Sequence, residues 1–187
     1  MAVLSTAFMT NREQEISELH WKKIRLSRMD PNQIPYLFGY QEPSVDVFSI
    51  TKRMGVGLFY LPNAPKFQSI DGLLQIQNGT PQIFINKAHH RVRQRFTVAH
   101  ELGHLLLHPL EDGKVLFRSS DLSNTTLKQE REANDFAAKL LMPEKMVRNY
   151  VHLASISNLA NAFDVSEKAM EIRVSNILEH RGRRLGR

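Results

Sequence analysis

The 187-residue sequence contains no cysteine. That absence excludes disulfides, thiol nucleophiles, iron–sulfur clusters and zinc sites built on thiolate. Any metal must then sit on His, Asp or Glu. No apolar run is long enough to span a bilayer. The opening "MAVLSTAFMTNREQ" has a brief apolar patch and lacks the basic start of a secretory leader. The expectation is a cytoplasmic protein with no membrane partner. There is no internal repeat and no low-complexity tract, so solenoid folds are excluded. Acidic residues are outnumbered: 19 Asp and Glu face 25 Lys and Arg, for a net charge of +6 that comes partly from "KAHHRVRQR" and "EHRGRRLGR". A basic balance favours acidic partners in general and singles out none.

What remains is the composition of a globular protein, 42% hydrophobic and 24% charged, long enough for one ordinary core. Residues 1–42 read as an appendage. Ile16, Leu19, Trp21 and Ile24 suggest an amphipathic helix from about Asn11 to Ser27, and the prolines at 31, 35 and 43 then predict a linker anchored by Tyr36, Phe38 and Tyr40. A short helix is expected from Pro43 to Gly55, followed by a strand at "VGLFYL". "GLLQIQ" and "QIFIN" flank an Asn-Gly turn signal and predict a hairpin, giving a small antiparallel sheet. From Arg91 the pattern is mainly helical: a central helix to His108, a polar loop over 109–124, a helix from Thr126 to Leu141 opened by a Thr126/Gln129 capping box, then shorter helices to Leu178. The fold class expected is α+β, divided as 1–42, a core over 43–143, and a C-terminal helical segment with a basic tail over 144–187.

The central helix carries the chemistry. In "FTVAHELGHLLLH" the side chains of Thr97, His100, Glu101, His104 and His108 fall within an arc of about 100°, and Phe96, Val98, Ala99, Leu102, Leu105, Leu106 and Leu107 fill the rest. So narrow a polar stripe on an apolar helix points to a cleft. His100 and His104, at i and i+4 with Glu101 beside His100, form the HExxH arrangement that holds one metal ion. His108 lies two turns from His100, about 12 Å along the axis, too far to share that ion. As the residue before Pro109, it reads as a helix-end cap. The third ligand must come from another element. In "TLKQEREANDFAAKLLMP" the apolar stripe is Ala133, Phe136, Ala137, Leu140 and Leu141. Glu130 falls inside it, while Glu132 and Asp135 lie outside. An inward carboxylate needs a cation or several donors, so Glu130 answers the need for a third ligand unless it pairs with Arg93 or Arg95. Asn134, four residues on, is placed to orient a ligand.

Together "RQRFTVAHELGHLLLH" and "EREANDFAAKLLMP" resemble the ImmA/IrrE family of metallopeptidases, and the resemblance extends from Pro43 to Leu178 through "VDVFSITKRMGV", "IFIN" and "LANAFDVSEKAMEIRVSNIL". It implies a zincin-like core of gluzincin type, His100, His104 and Glu130 as ligands of Zn2+ (or Mn2+ or another divalent ion), and Glu101 as catalytic base. It also implies a protein substrate, a helix-turn-helix transcriptional repressor, in phage, mobile-element or stress regulation. For oxyanion or substrate contacts the sequence offers His108, Tyr150 and His152 without choosing among them. The hairpin strands are a candidate docking edge for an extended substrate. The rival reading is a DNA- or protein-binding regulator on a zincin scaffold, toxin-like or inactive. "ISNLANAFDVSEKAMEIRVSNIL" has the form helix, turn, helix with Ser166 as cap, but Glu167 and Glu171 would face phosphate early on the second helix. Packing through Leu159, Phe163, Ile172 and Ile177 is the favoured alternative to DNA binding.

Overall fold

The computed structural model describes residues 29–62, 64–108, 115–117 and 124–185. The helix expected over 11–27 lies outside them. The chain is α+β. A helical turn α1 (Ile34–Leu37) leads to α2 (Val47–Arg53), whose N-cap is Asp46, its carboxylate accepting the Ser49 N–H at 3.0 Å. Strand β1 (Gly57–Tyr60), a 3-10 turn (Pro65–Phe67) and the hairpin β2 (Gly72–Gln77) and β3 (Thr80–Ile85) follow. Helix α3 (Arg91–Leu107), strand β4 (Val115–Phe117), and helices α4 (Asn124–Leu141), α5 (Glu144–Tyr150), α6 (Ile156–Phe163) and α7 (Glu167–Leu185) complete the order.

Asn78 and Gly79 both have positive φ (51° and 73°), the backbone that a two-residue hairpin turn requires and that an Asn-Gly pair adopts most readily. They set the register Gln77↔Thr80 to Gly72↔Ile85. Period-2 alternation then puts Leu74, Ile76, Pro81, Ile83 and Ile85 on one buried face, against α3. The opposite face carries the Gln75–Gln82 amide bond (2.8 Å) and the Phe59–Phe84 stack (5.2 Å). Pro81 has no N–H to give, and it precedes Gln82, where the β1 pairing starts.

The sheet is mixed, which corrects the expected antiparallel one. Its order is β1-β3-β2-β4, with β1 parallel to β3 and β4 antiparallel to β2. The reason is the order of connection: β2 is laid two strand positions from β1, and β3 turns back into the gap between them. β4 also lies inside the segment expected to be a polar loop. It is a three-residue apolar run that becomes a strand by pairing with Leu73–Gln75 of β2. Two further expectations change. Helix α4 starts at Asn124, so Thr126 is within its first turn and cannot be the N-cap. The last helix is long, 19 residues, with Met170, Arg173, Val174 and Ile177 turned inward and Ile172 52% exposed, so Ile172 is not a packing residue.

A single buried core runs from Ile34 through the sheet, α3 and α4 to Ile177. Helices α3 and α4 pack along each other. Gly103 makes this possible. A Cβ there would sit 3.1 Å from Phe136 Cδ1 and 3.2 Å from both Ala133 Cα and the Ala133 carbonyl oxygen. Glycine is otherwise costly within a helix, by about 1 kcal/mol against alanine, so the close approach explains its place. No helix among the described residues is long and apolar enough to cross a membrane.

Candidate metal centre

Helix α3 starts at His90, whose ring nitrogen accepts the Val92 N–H, and it buries Thr97 to Leu106 without interruption. His100, Glu101 and His104 are 0%, 2% and 6% exposed. These are buried polar groups in an apolar helix, and each requires a partner. For the two histidines the partners come from α4. His100 Nε2 lies 3.2 Å from one Glu130 carboxylate oxygen, His104 Nε2 lies 3.0 Å from the other, and the two Nε2 atoms are 3.0 Å apart. Glu130 is half as exposed as Glu132 or less (17% against 44%), which puts the inward carboxylate where the helical periodicity places it. Pairing of Glu130 with Arg93 or Arg95 is corrected. Arg93 binds Asp71 at 2.7 Å, and Arg95 is engaged by Asp164 and by the carbonyls of Val45 and Phe163.

The electronic character of these atoms is informative. His100 Nδ1 is 2.9 Å from Asn134 Oδ1. A carbonyl oxygen only accepts, so Nδ1 donates, and Nε2 is the ring nitrogen turned toward Glu130 and His104. For His104, burial, with His100 adding to it, pushes the imidazole pKa down to about 4. At neutral pH that ring is uncharged. Two imidazoles and a carboxylate thus converge on one point. The three ligand atoms all fall within 4.8 Å of one another. Ligands about 2.0–2.1 Å from one tetrahedral ion would lie about 3.3–3.4 Å apart, close to the 3.0–3.2 Å spacings found here. The donor set therefore fits a divalent metal. Among the described residues it is the one group of His, Asp and Glu with this convergence.

Glu101 lies against the start of the hairpin. A Cβ at Gly72, the first residue of β2, would come within 3.1 Å of Glu101 Oε1 and 2.4 Å of Thr97 Cγ2. The missing side chain at Gly72 makes the space for that carboxylate. His108 is adjacent to His104 (ring centroids 5.3 Å apart), and its Nε2 meets the Gln129 carbonyl at 3.2 Å. Its cap therefore goes to a neighbouring helix, where the expectation had been the carbonyls of its own. Tyr150 and His152 are not brought into the cluster: the Tyr150 hydroxyl donates to Glu42, and His152 is exposed. The hairpin offers no free edge near the cluster along Leu73–Gln75, because β4 covers it, and β3 is interior. Sequence reasoning missed Gly72, Gly103 and the Gln129 carbonyl. Only Gly103 carried a signal, being a glycine inside a helix with a packing demand.

Comparison with known proteins settles the family. The IrrE N-terminal-like domain matches residues 51–175. The chain belongs to the ImmA/IrrE family. It is 33% identical over 111 residues to Metallopeptidase ImmA of Bacillus subtilis (strain 168), an alignment covering 57% of this chain and 64% of that protein. The chain thus spans less than two thirds of that relative's length. Among solved structures, a Mycobacterium tuberculosis transcriptional regulator superposes with a TM-score of 0.52 over 84% of this chain and 50% of its own, at 14% identity, a likeness of fold alone.

Proposed function

We propose that this ImmA/IrrE family member is a cytoplasmic zinc-dependent endopeptidase with a zincin-like core of gluzincin type, acting on a helix-turn-helix transcriptional repressor. The observation that carries the reading is the convergence of His100 Nε2, His104 Nε2 and the Glu130 carboxylate at 3.0–3.2 Å. His100, His104 and Glu130 would hold the ion, and Asn134 would fix the His100 tautomer. A divalent ion bound there supplies a Lewis acid for the scissile carbonyl and acidifies water at its open position.

Glu101 does the proton work. Its carboxylate, 2% exposed and next to the ligand His100 in sequence, takes a proton from the attacking water and hands it to the leaving amine nitrogen as the peptide bond breaks. Burial of Thr97, Glu101 and the α3/α4 seam keeps bulk water from competing for that proton. The substrate class is inferred from the family resemblance.

Metal content by mass spectrometry, on wild type beside His104→Ala and Glu130→Gln, tests the site. Near-stoichiometric zinc in wild type and its loss in both variants is the expected result. Glu101→Gln should keep the metal and lower cleavage of a repressor encoded beside the gene by about 10²–10⁴-fold. Wild type without zinc after reconstitution overturns the peptidase reading, and DNA-shift and pull-down assays would then test the regulator alternative.

A further inference from the structure

We propose that His108, which the peptidase reading leaves without a task, is a positioning residue that holds Glu130 and the end of α3 in mutual register; the inference rests on that reading of the site. His108 is the C-cap of α3, and its backbone N–H donates to the His104 carbonyl at 2.9 Å. Its ring crosses to α4, where Nε2 lies 3.2 Å from the Gln129 carbonyl oxygen. One residue is thus bonded to the carbonyl of His104 and to the peptide group that joins Gln129 to Glu130. The ring is 7% exposed, and Glu132 Oε2 lies 3.8 Å from Nδ1.

The chemistry fixes the direction of the bond. A carbonyl oxygen cannot donate, so Nε2 carries the proton. A backbone carbonyl has two lone pairs, and the second remains for the helical bond of α4. The Gln129–Glu130 peptide plane is therefore held from outside its own helix, directly before the Cα of Glu130. Asn134 performs the same service for His100 through its ring nitrogen. Between them, His108 and Asn134 secure arms from both helices, and removal of such outer partners commonly weakens metal binding by about 10–100-fold.

The test is zinc affinity, measured by chelator competition on wild type, His108→Phe and His108→Gln, alongside the thermal midpoint of each metal-free protein. Phenylalanine keeps the ring and removes the donor; glutamine restores an N–H. The expected result is a ~10–100-fold loss of affinity in His108→Phe and recovery of most of it in His108→Gln. A role in folding alone would lower the metal-free midpoint and leave the zinc dissociation constant of the folded protein unmoved, which overturns the proposal. Equal weakening in both variants overturns it too, because the donor would then be irrelevant. Should His108→Phe fail to fold, the imidazole nitrogen NMR spectrum of the wild type decides: a protonated Nε2 on His108 supports the bond, and a bare Nε2 overturns it. Wild type that binds no zinc removes the peptidase reading and this inference together, whereas tight wild-type binding unaffected by His108→Phe removes the inference alone.

Discussion

Two parts of this molecule bury polar side chains, and they satisfy them in opposite ways. Against the C-terminal helices, Arg95 reaches the carbonyls of Val45, Phe163 and Asp164, and Arg173 reaches the Met142 carbonyl and Asn32 Oδ1. These are donors placed on acceptors that the ends of α4 and α6 leave over. Burial lowers the pKa of both guanidinium groups from the usual arginine value, and the facing carboxylates, Asp164 for Arg95 and Glu144 for Arg173, work against that shift. Along the α3/α4 seam side chains converge on one another instead of on the backbone: two imidazole nitrogens and a carboxylate. The first arrangement is complete within the chain. The second is a donor set that fits a divalent ion. The same helix, α3, contributes to both, with Arg95 and His100 five residues apart.

If the contrast is right, the two regions should fail differently. The largest effect is expected from Arg95→Met, which strands the buried carbonyls of Val45 and Phe163 and should cost about 3–5 kcal/mol of stability. Denaturant unfolding would register that loss, while zinc per folded molecule stays near wild type. Loss of zinc from protein that is still folded would mean the regions are not separable. Asn134→Ala is the converse. It should weaken zinc binding by about 10–100-fold while the metal-free protein keeps its unfolding midpoint within the range of an ordinary surface change, about 0.5 kcal/mol. A large drop in metal-free stability would make Asn134 a structural residue like Arg95. The smallest effect is expected from Ser155→Ala, which removes the side-chain acceptor for the Asn158 N–H at the start of α6. Thermal unfolding should show a loss of about 1 kcal/mol with zinc affinity unchanged.

The comparison also explains which parts were legible beforehand. The side chains of the seam sit on two helices whose periodicity is local. His100 and His104 share a face because they are four residues apart, and Glu130 turns inward because Ala133 and Ala137 share its stripe. The completed region gave no such sign. Arg95 was weighed as a partner for Glu130, yet its partners lie 50 to 69 residues away along the chain. Nothing local distinguishes an arginine that will meet helix-end carbonyls from one that will meet a carboxylate. His108 shows both cases at once: its position as a cap was readable, and the carbonyl its ring would find was not.

What the amino-acid sequence determined alone is therefore short-range: the Asn78-Gly79 turn and the hairpin register it sets, the faces of α3 and α4, and the absence of any thiolate route to a metal. Tertiary structure alone decided that β1 lies parallel to β3, that β4 pairs with β2, that Ile172 faces outward, and that Gly72 stands where a Cβ would run into Thr97. The physical reason is common to all of them. Periodicity and turn chemistry act over a few residues and leave a pattern in the chain, whereas strand order and helix approach depend on which distant surfaces meet.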